Sequence, residues 1–346
     1  MKRISELVKQ HPLKAFFLIT FSMSWFLWYL VGRYSLTTTE SGMLGFQFLV
    51  SLIGDFSPAF TGLIILSLVD PIASARNRYT ILMIFVPVFV LAAIMSLFTE
   101  DDILRNTPLV IAAVGAAALV VYVFSTNNRR FKTIFSPESR GHTSTIWLVL
   151  SVLLFPVLIL VAKILTYHLE GNEAFIIPQR GTWDEIGRYV IAVFSITLLY
   201  GGPLGEEIGW RGFALPYLQK RHNPLWASII LGLFWALWHA PLDISHGFVM
   251  PGFEGVVYRL VFTIPITLLF TFFYNRTKGS ILIAILLHTS TNFGFEIFQI
   301  QTASSFVVFC VIVLVLGCYA VFSGRMWQKL SASSQEACTE QVDRQV

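Results

Sequence analysis

The chain has 346 residues, of which 55% are apolar or aromatic and 13% charged, about half the charged share of an ordinary globular domain. That balance excludes a water-soluble globule, and 31 Phe with 9 Trp exclude a disordered chain, a coiled coil or a disulfide-stapled secreted module. The net charge is +4, but the basic residues are scattered between apolar runs and form no stripe, so no nucleic-acid partner is expected.

The composition predicts an all-α, polytopic transmembrane helix bundle of about ten helices embedded in a lipid bilayer. A bilayer core of roughly 30 Å needs about 20 apolar helical residues. In chain order, runs that approach this length lie at 14–32, 43–69, 80–99, 108–126, 143–167, 189–219, 225–245, 256–275, 280–300 and 304–323. The first follows Lys2, Arg3, Lys9 and Lys14 and is closed by Arg33 with no small-residue cleavage site, so it reads as a retained helix and not as a signal peptide. Sorting Lys and Arg by alternate loops puts 17 of the 24 on one side and five on the other, with Lys163 and Arg211 inside apolar runs. By the positive-inside rule this predicts both termini in the cytoplasm and 168–188 as the largest external segment. Arg259 is counted with that external set. Cys310 and Cys318 share one apolar run and Cys338 lies in a polar tail, which suits packing residues and a loose thiol better than disulfides. The expected division is 1–188 for about five N-terminal helices and the external loop, 189–300 for a functional core, and 301–346 for the last helix and the tail.

Charges at membrane depth are costly and therefore informative, and they cluster in the second half of the chain. Segment 189–219 is longer than a straight span needs and carries Glu206 and Glu207 near its middle. Gly201, Gly202 and Pro203 just before them predict a broken or kinked helix, because proline lacks the N–H and glycine admits unusual backbone angles. Glu207 and Arg211 stand at i and i+4, so they share a face and can pair, whereas Glu206 is turned by about 100° and is left over. The plainest reading is structural, two acids in a polar helix interface. A carboxylate left over in a dry environment is also what a general base requires.

The next helix carries His239, with Asp243 at i+4 as a candidate to orient its imidazole, across Pro241. The ninth places His288, Asn292 and Glu296 on one stripe, which must face protein or a water-filled cavity. Glu206, His239 and His288 form the ligand set of many catalytic zinc sites, although the helical HExxH spacing is absent. The same groups suit a metal-free arrangement, in which Glu206 and His239 activate a water while His288 and Asn292 donate hydrogen bonds to an oxyanion. Either chemistry is hydrolysis of an acyl bond. Ser290 lies off the face of His288 and Cys310 has no base on its own helix, so neither makes a convincing nucleophile.

These residues resemble the CPBP family, the CAAX-protease and bacteriocin-processing (Abi-type) intramembrane proteases that include the Ras-converting CAAX endopeptidase. The EExxxR motif is met by Glu206, Glu207 and Arg211, and HxxxN by His288 and Asn292. FxxxH is met by His239 with Trp235 in the Phe position. The resemblance covers about 189–300. It implies that Glu206 activates water with His239 as its partner, that His288 and Asn292 act on the oxyanion side or as metal ligands, and that Glu207 and Arg211 form a supporting pair. It further implies a peptide or prenylated-peptide substrate and a possible zinc cofactor, and it suits a bacterial-type cell membrane. The competing expectation is a noncatalytic membrane protein that retains the motifs. It would be a transporter relaying protons through Glu206, Glu207 and Glu296, or an immunity or scaffold factor. Against a transporter stand the lack of repeated halves and the confinement of the polar residues to three helices.

Overall fold

The computed structural model describes residues 2–35, 41–69, 145–170, 182–200, 202–245, 251–298, 300 and 302–330. Every element among them is helical: α1 (Lys2–Gln10), α2 (Pro12–Ser35), α3 (Ser41–Val69), α4 (Thr145–Glu170), α5 (Trp183–Tyr200) and α6 (Pro203–Gly209). A π turn (Trp210–Ala214) then leads into α7 (Leu215–Gln219), α8 (Pro224–Trp238), α9 (Ala240–Ser245), α10 (Phe253–Arg276), α11 (Ile281–Phe298) and α12 (Ala303–Ser323). Among the described residues, six stretches are long and apolar enough to cross a membrane: Pro12–Leu30, Thr145–Glu170, Trp183–Gln219, Phe253–Arg276, Ile281–Phe298 and Ala303–Ser323. The chain is a multi-pass, all-α membrane protein. Eight of the ten expected runs coincide with described helices, while 80–99 and 108–126, most of 168–188, and Cys338 lie outside the described residues.

Several helix ends follow directly from the sequence. Asn223 accepts the Trp226 N–H at 2.9 Å ahead of Pro224, which takes the first position of α8, where its missing N–H is harmless. Thr302 accepts the Ser305 N–H at 3.2 Å and starts α12. At Gly201–Pro203 the expected break is present: α5 ends at Tyr200, Gly202 takes φ +87°, and Pro203 opens α6. The run 225–245, read from sequence as one helix, is two. It is interrupted at His239, and the missing N–H of Pro241 explains why the helix cannot run through. The short basic helix α1 precedes the first expected span.

The described residues fall into two compact units. The first holds α1, α2 and α3 with Leu204–Ala214. Here α2 and α3 pack side by side, the Ser24 hydroxyl donating to the Gly54 carbonyl at 2.9 Å and bonding the Ser57 hydroxyl. Small residues and hydroxyls joining helices are what a bilayer selects, because lipid removes the hydrophobic drive for helix association. The core centres on Phe16, whose ring meets Trp210 edge-on at 5.4 Å and stacks on Phe213 at 4.9 Å.

The second unit holds α4, α5 and α7 to α12. Helix α11 packs against α4 and α5, and α10 against α8 and α12. Gly294 lets α11 close on α4: a Cβ there would stand 2.7 Å from Ile159 Cδ1 and 3.1 Å from Pro156 Cα. Lys163, a cation inside the apolar α4, donates its ammonium to the Phe298 carbonyl at the end of α11, where the last carbonyls of a helix need partners and the macrodipole favours a positive charge.

Candidate functional site

The acidic motif lies in the first unit. Glu206 is 4% exposed, and Glu207 and Arg211 are fully buried. Arg211 Nη1 donates to Glu207 Oε1 at 2.8 Å, the pairing expected from their spacing. Both charges are desolvated, so this pair gives weak net stability but strong geometric specification, since removing either partner leaves a buried charge. The pair bridges the π turn Trp210–Ala214, a local widening of the helix that recurs at functional sites.

What positions this segment is an absence of side chains. A Cβ on Gly205 would stand 2.8 Å from the Phe56 Cα, and one on Gly209 would stand 2.4 to 2.6 Å from Pro58 atoms, its carbonyl included. Gly205 and Gly209 form a small-xxx-small step that brings α6 backbone-to-backbone against α3. Across from them on α3, Gly62 faces Phe213 and the Gly209 Cα.

That contact exposes an acid the sequence reading passed over. Asp55 precedes Phe56 on α3, as Glu206 follows Gly205 on α6, and Asp55 lies within electrostatic reach of Glu206. The signal was available, because a carboxylate inside the apolar run 43–69 meets the same criterion that singled out Glu206.

The histidine motifs lie in the second unit. His239 caps the end of α8 (φ −78°, ψ −7°), and its Nδ1 faces the Trp235 carbonyl at 3.0 Å. A carbonyl can only accept, so Nδ1 carries the hydrogen in that bond, and in the neutral ring Nε2 then carries the lone pair. His288 is 6% exposed on α11. Trp235, the residue in the Phe position of the second motif, stands between the two histidines. Its ring centroid is 5.2 Å from that of His288, edge to face, and 6.4 Å from that of His239. Trp238 meets His239 edge-on at 4.6 Å, and Phe270 lies 6.1 Å from His288. An aromatic at position 235 therefore fixes the orientation of both imidazoles.

Asn292 follows His288 by one turn of α11 and is half-buried, whereas Glu296, one turn further, is exposed. Asp243 does not make the expected pairing with the His239 ring through its carboxylate. That carboxylate accepts from Arg259: Nε at 3.2 and 3.0 Å to its two oxygens and Nη2 at 2.7 Å. The i, i+4 backbone relation is kept, since the Asp243 N–H donates to the His239 carbonyl at 3.0 Å, but the carboxylate itself is taken by Arg259. Arg259, assigned from sequence to an external loop, lies inside α10.

Among the described residues, no group of three or more His, Cys, Asp and Glu is placed to hold a metal ion. Of the expected zinc set, Glu206 belongs to the first unit and His239 and His288 to the second.

Comparison with known proteins gives two findings. The family of type II CAAX prenyl endopeptidases described as Rce1-like matches residues 188–294. A curated relative from Methanococcus maripaludis, a CAAX prenyl protease 2, is 28% identical over 180 residues. The match covers 51% of this chain and 65% of the relative's length. Glu206, Glu207, Arg211, Trp235, His239, His288 and Asn292 all fall inside the family match, whereas Asp55 and Glu296 fall outside it.

Proposed function

We propose, from the match of residues 188–294 to the Rce1-like family, that the chain is an intramembrane endopeptidase. It hydrolyses a peptide bond of a membrane-associated substrate, a prenylated CAAX-type peptide being the first candidate. The observation that carries this reading is the coincidence of all three motifs with the family match. The burial of Glu206 and the engagement of Glu207 by Arg211 support it.

In the proposed reaction, Glu206 accepts a proton from water as the water oxygen attacks the scissile carbonyl. His239 accepts a hydrogen bond from that water at Nε2 and so orients it for attack. His288 and Asn292 donate hydrogen bonds to the oxygen of the tetrahedral intermediate, where preorganised donors contribute most. The proton taken from water is delivered to the leaving amine, which restores Glu206. Trp235 holds the two imidazoles, and the Glu207–Arg211 pair holds the segment that carries Glu206. The 17-to-5 distribution of basic residues supports cytoplasmic termini, in a bacterial-type cell membrane.

The deciding experiment is cleavage of a quenched farnesyl-peptide by the purified protein in detergent or nanodiscs. Undiminished cleavage by Glu206→Ala sinks the assignment and leaves the transporter or immunity-factor reading. Elemental analysis of the active preparation addresses zinc: about one transition metal per chain, lost in His288→Ala, would replace water activation by Glu206 and His239 with metal-centred chemistry.

A further inference from the structure

We infer that the Asp243–Arg259 ion pair is a clamp that positions His239, which makes Arg259 a positioning residue for the proposed reaction. The inference rests on the role given to His239 above. His239 stands where α8 stops: its N–H still donates to the Ala236 carbonyl of α8 at 3.1 Å, while its carbonyl is held by residues of α9. Its carbonyl accepts the N–H of Leu242 at 2.9 Å and of Asp243 at 3.0 Å. Asp243 is in turn held on two further sides. Its carbonyl accepts the Gly252 N–H at 3.2 Å, and its carboxylate takes the two-armed grip of Arg259 from α10. A displacement of the Asp243 carboxylate is therefore transmitted through one backbone hydrogen bond to the His239 peptide.

The chemistry of the pair agrees with a geometric role. Asp243 is 1% exposed and the Arg259 side chain 13%, so both charges are largely desolvated. A buried ion pair is a poor source of net stability, and apolar residues of similar volume would join α9 to α10 at least as well. What an Arg–carboxylate fork supplies is a fixed plane and a fixed distance. The imidazole is already confined between Trp235 and Trp238, so the backbone at the helix break is the remaining freedom, and the clamp acts on it.

The test uses the full chain in nanodiscs. Arg259→Met is expected to lower kcat on the farnesyl-peptide about a hundredfold, the scale of a 1 Å misplacement of a reacting group, with KM unchanged. Arg259→Lys recovers part of this, because the charge returns without the fork. The exchanged pair, Asp243→Arg with Arg259→Asp, recovers more than either single change. Hydrogen exchange read by mass spectrometry supplies an arm that needs no activity: exchange in Arg259→Met rises over residues 239–245 and not over α12. Wild-type kcat in Arg259→Met, a rise in KM alone, or exchange that rises uniformly along the chain overturns the clamp. If the wild-type protein cleaves no substrate, the proposed function falls, and the exchange result still decides the clamp.

Discussion

The two regions that carry the motifs position their polar residues by opposite means. Around Glu206 the positioning comes from missing side chains: Gly205 and Gly209 set one backbone against another, and little there can yield. Around His239 and His288 it comes from large ones, two tryptophans, a phenylalanine and an ion pair. Backbone contact tolerates no added atom. Ring contacts leave room for exchange of one flat side chain for another. The lesson is that the same change of a few atoms should be harmless in one region and severe in the other.

The largest expected effect separates two adjacent acids. Glu206→Gln should reduce cleavage roughly ten-thousandfold, the upper range for a general base, while leaving thermal unfolding in detergent unchanged. A variant that cleaves normally would remove Glu206 from the chemistry. Next, Arg211→Met strands the Glu207 carboxylate in a dry site and should cost about 3–5 kcal/mol of stability, most of it recovered by adding Glu207→Gln. Failure of the double variant to recover would show that the pair does more than neutralise itself.

Gly209→Ala puts a methyl into the Pro58 backbone and should cost about 2 kcal/mol, as overpacking does. Gly294→Ala meets the Ile159 Cδ1 first. That side-chain tip can move, and the Pro156 Cα at 3.1 Å needs to give only slightly, so about 1 kcal/mol is expected. Equal costs at the two positions would break the contrast between the regions. The smallest effect is Gly187→Ala in α5, where a Cβ meets nothing within 4 Å. Stability should hold or rise by up to about 1 kcal/mol through helix propensity alone.

Much of this arrangement was legible in the residues, because membrane helices announce themselves by length and apolarity, and Gly-Gly-Pro announced the break before Pro203. The Glu207–Arg211 pair followed from spacing. What was not legible depends on contacts distant in the chain. The i+4 count from His239 to Asp243 holds along the backbone, but the carboxylate is taken by Arg259 sixteen residues on, and Arg259 lies inside α10 because Asp243 supplies the partner a cation there needs. The π turn left no signal that periodicity could register. Asp55 was readable and was passed over because its helix carries no motif.

The π turn also bears on how relatives are to be read. A helix in which five residues do the spatial work of four carries one residue in surplus, and the surplus sits between Glu207 and Leu215. A chain one residue shorter there could keep an unbroken helix simply by letting the bulge relax. Sequence length at Trp210–Ala214 is thus a degree of freedom. A one-residue gap at that place in an alignment marks loss of the bulge with the helical phase beyond it kept, so the roles of residues beyond it carry across the gap but not by counting.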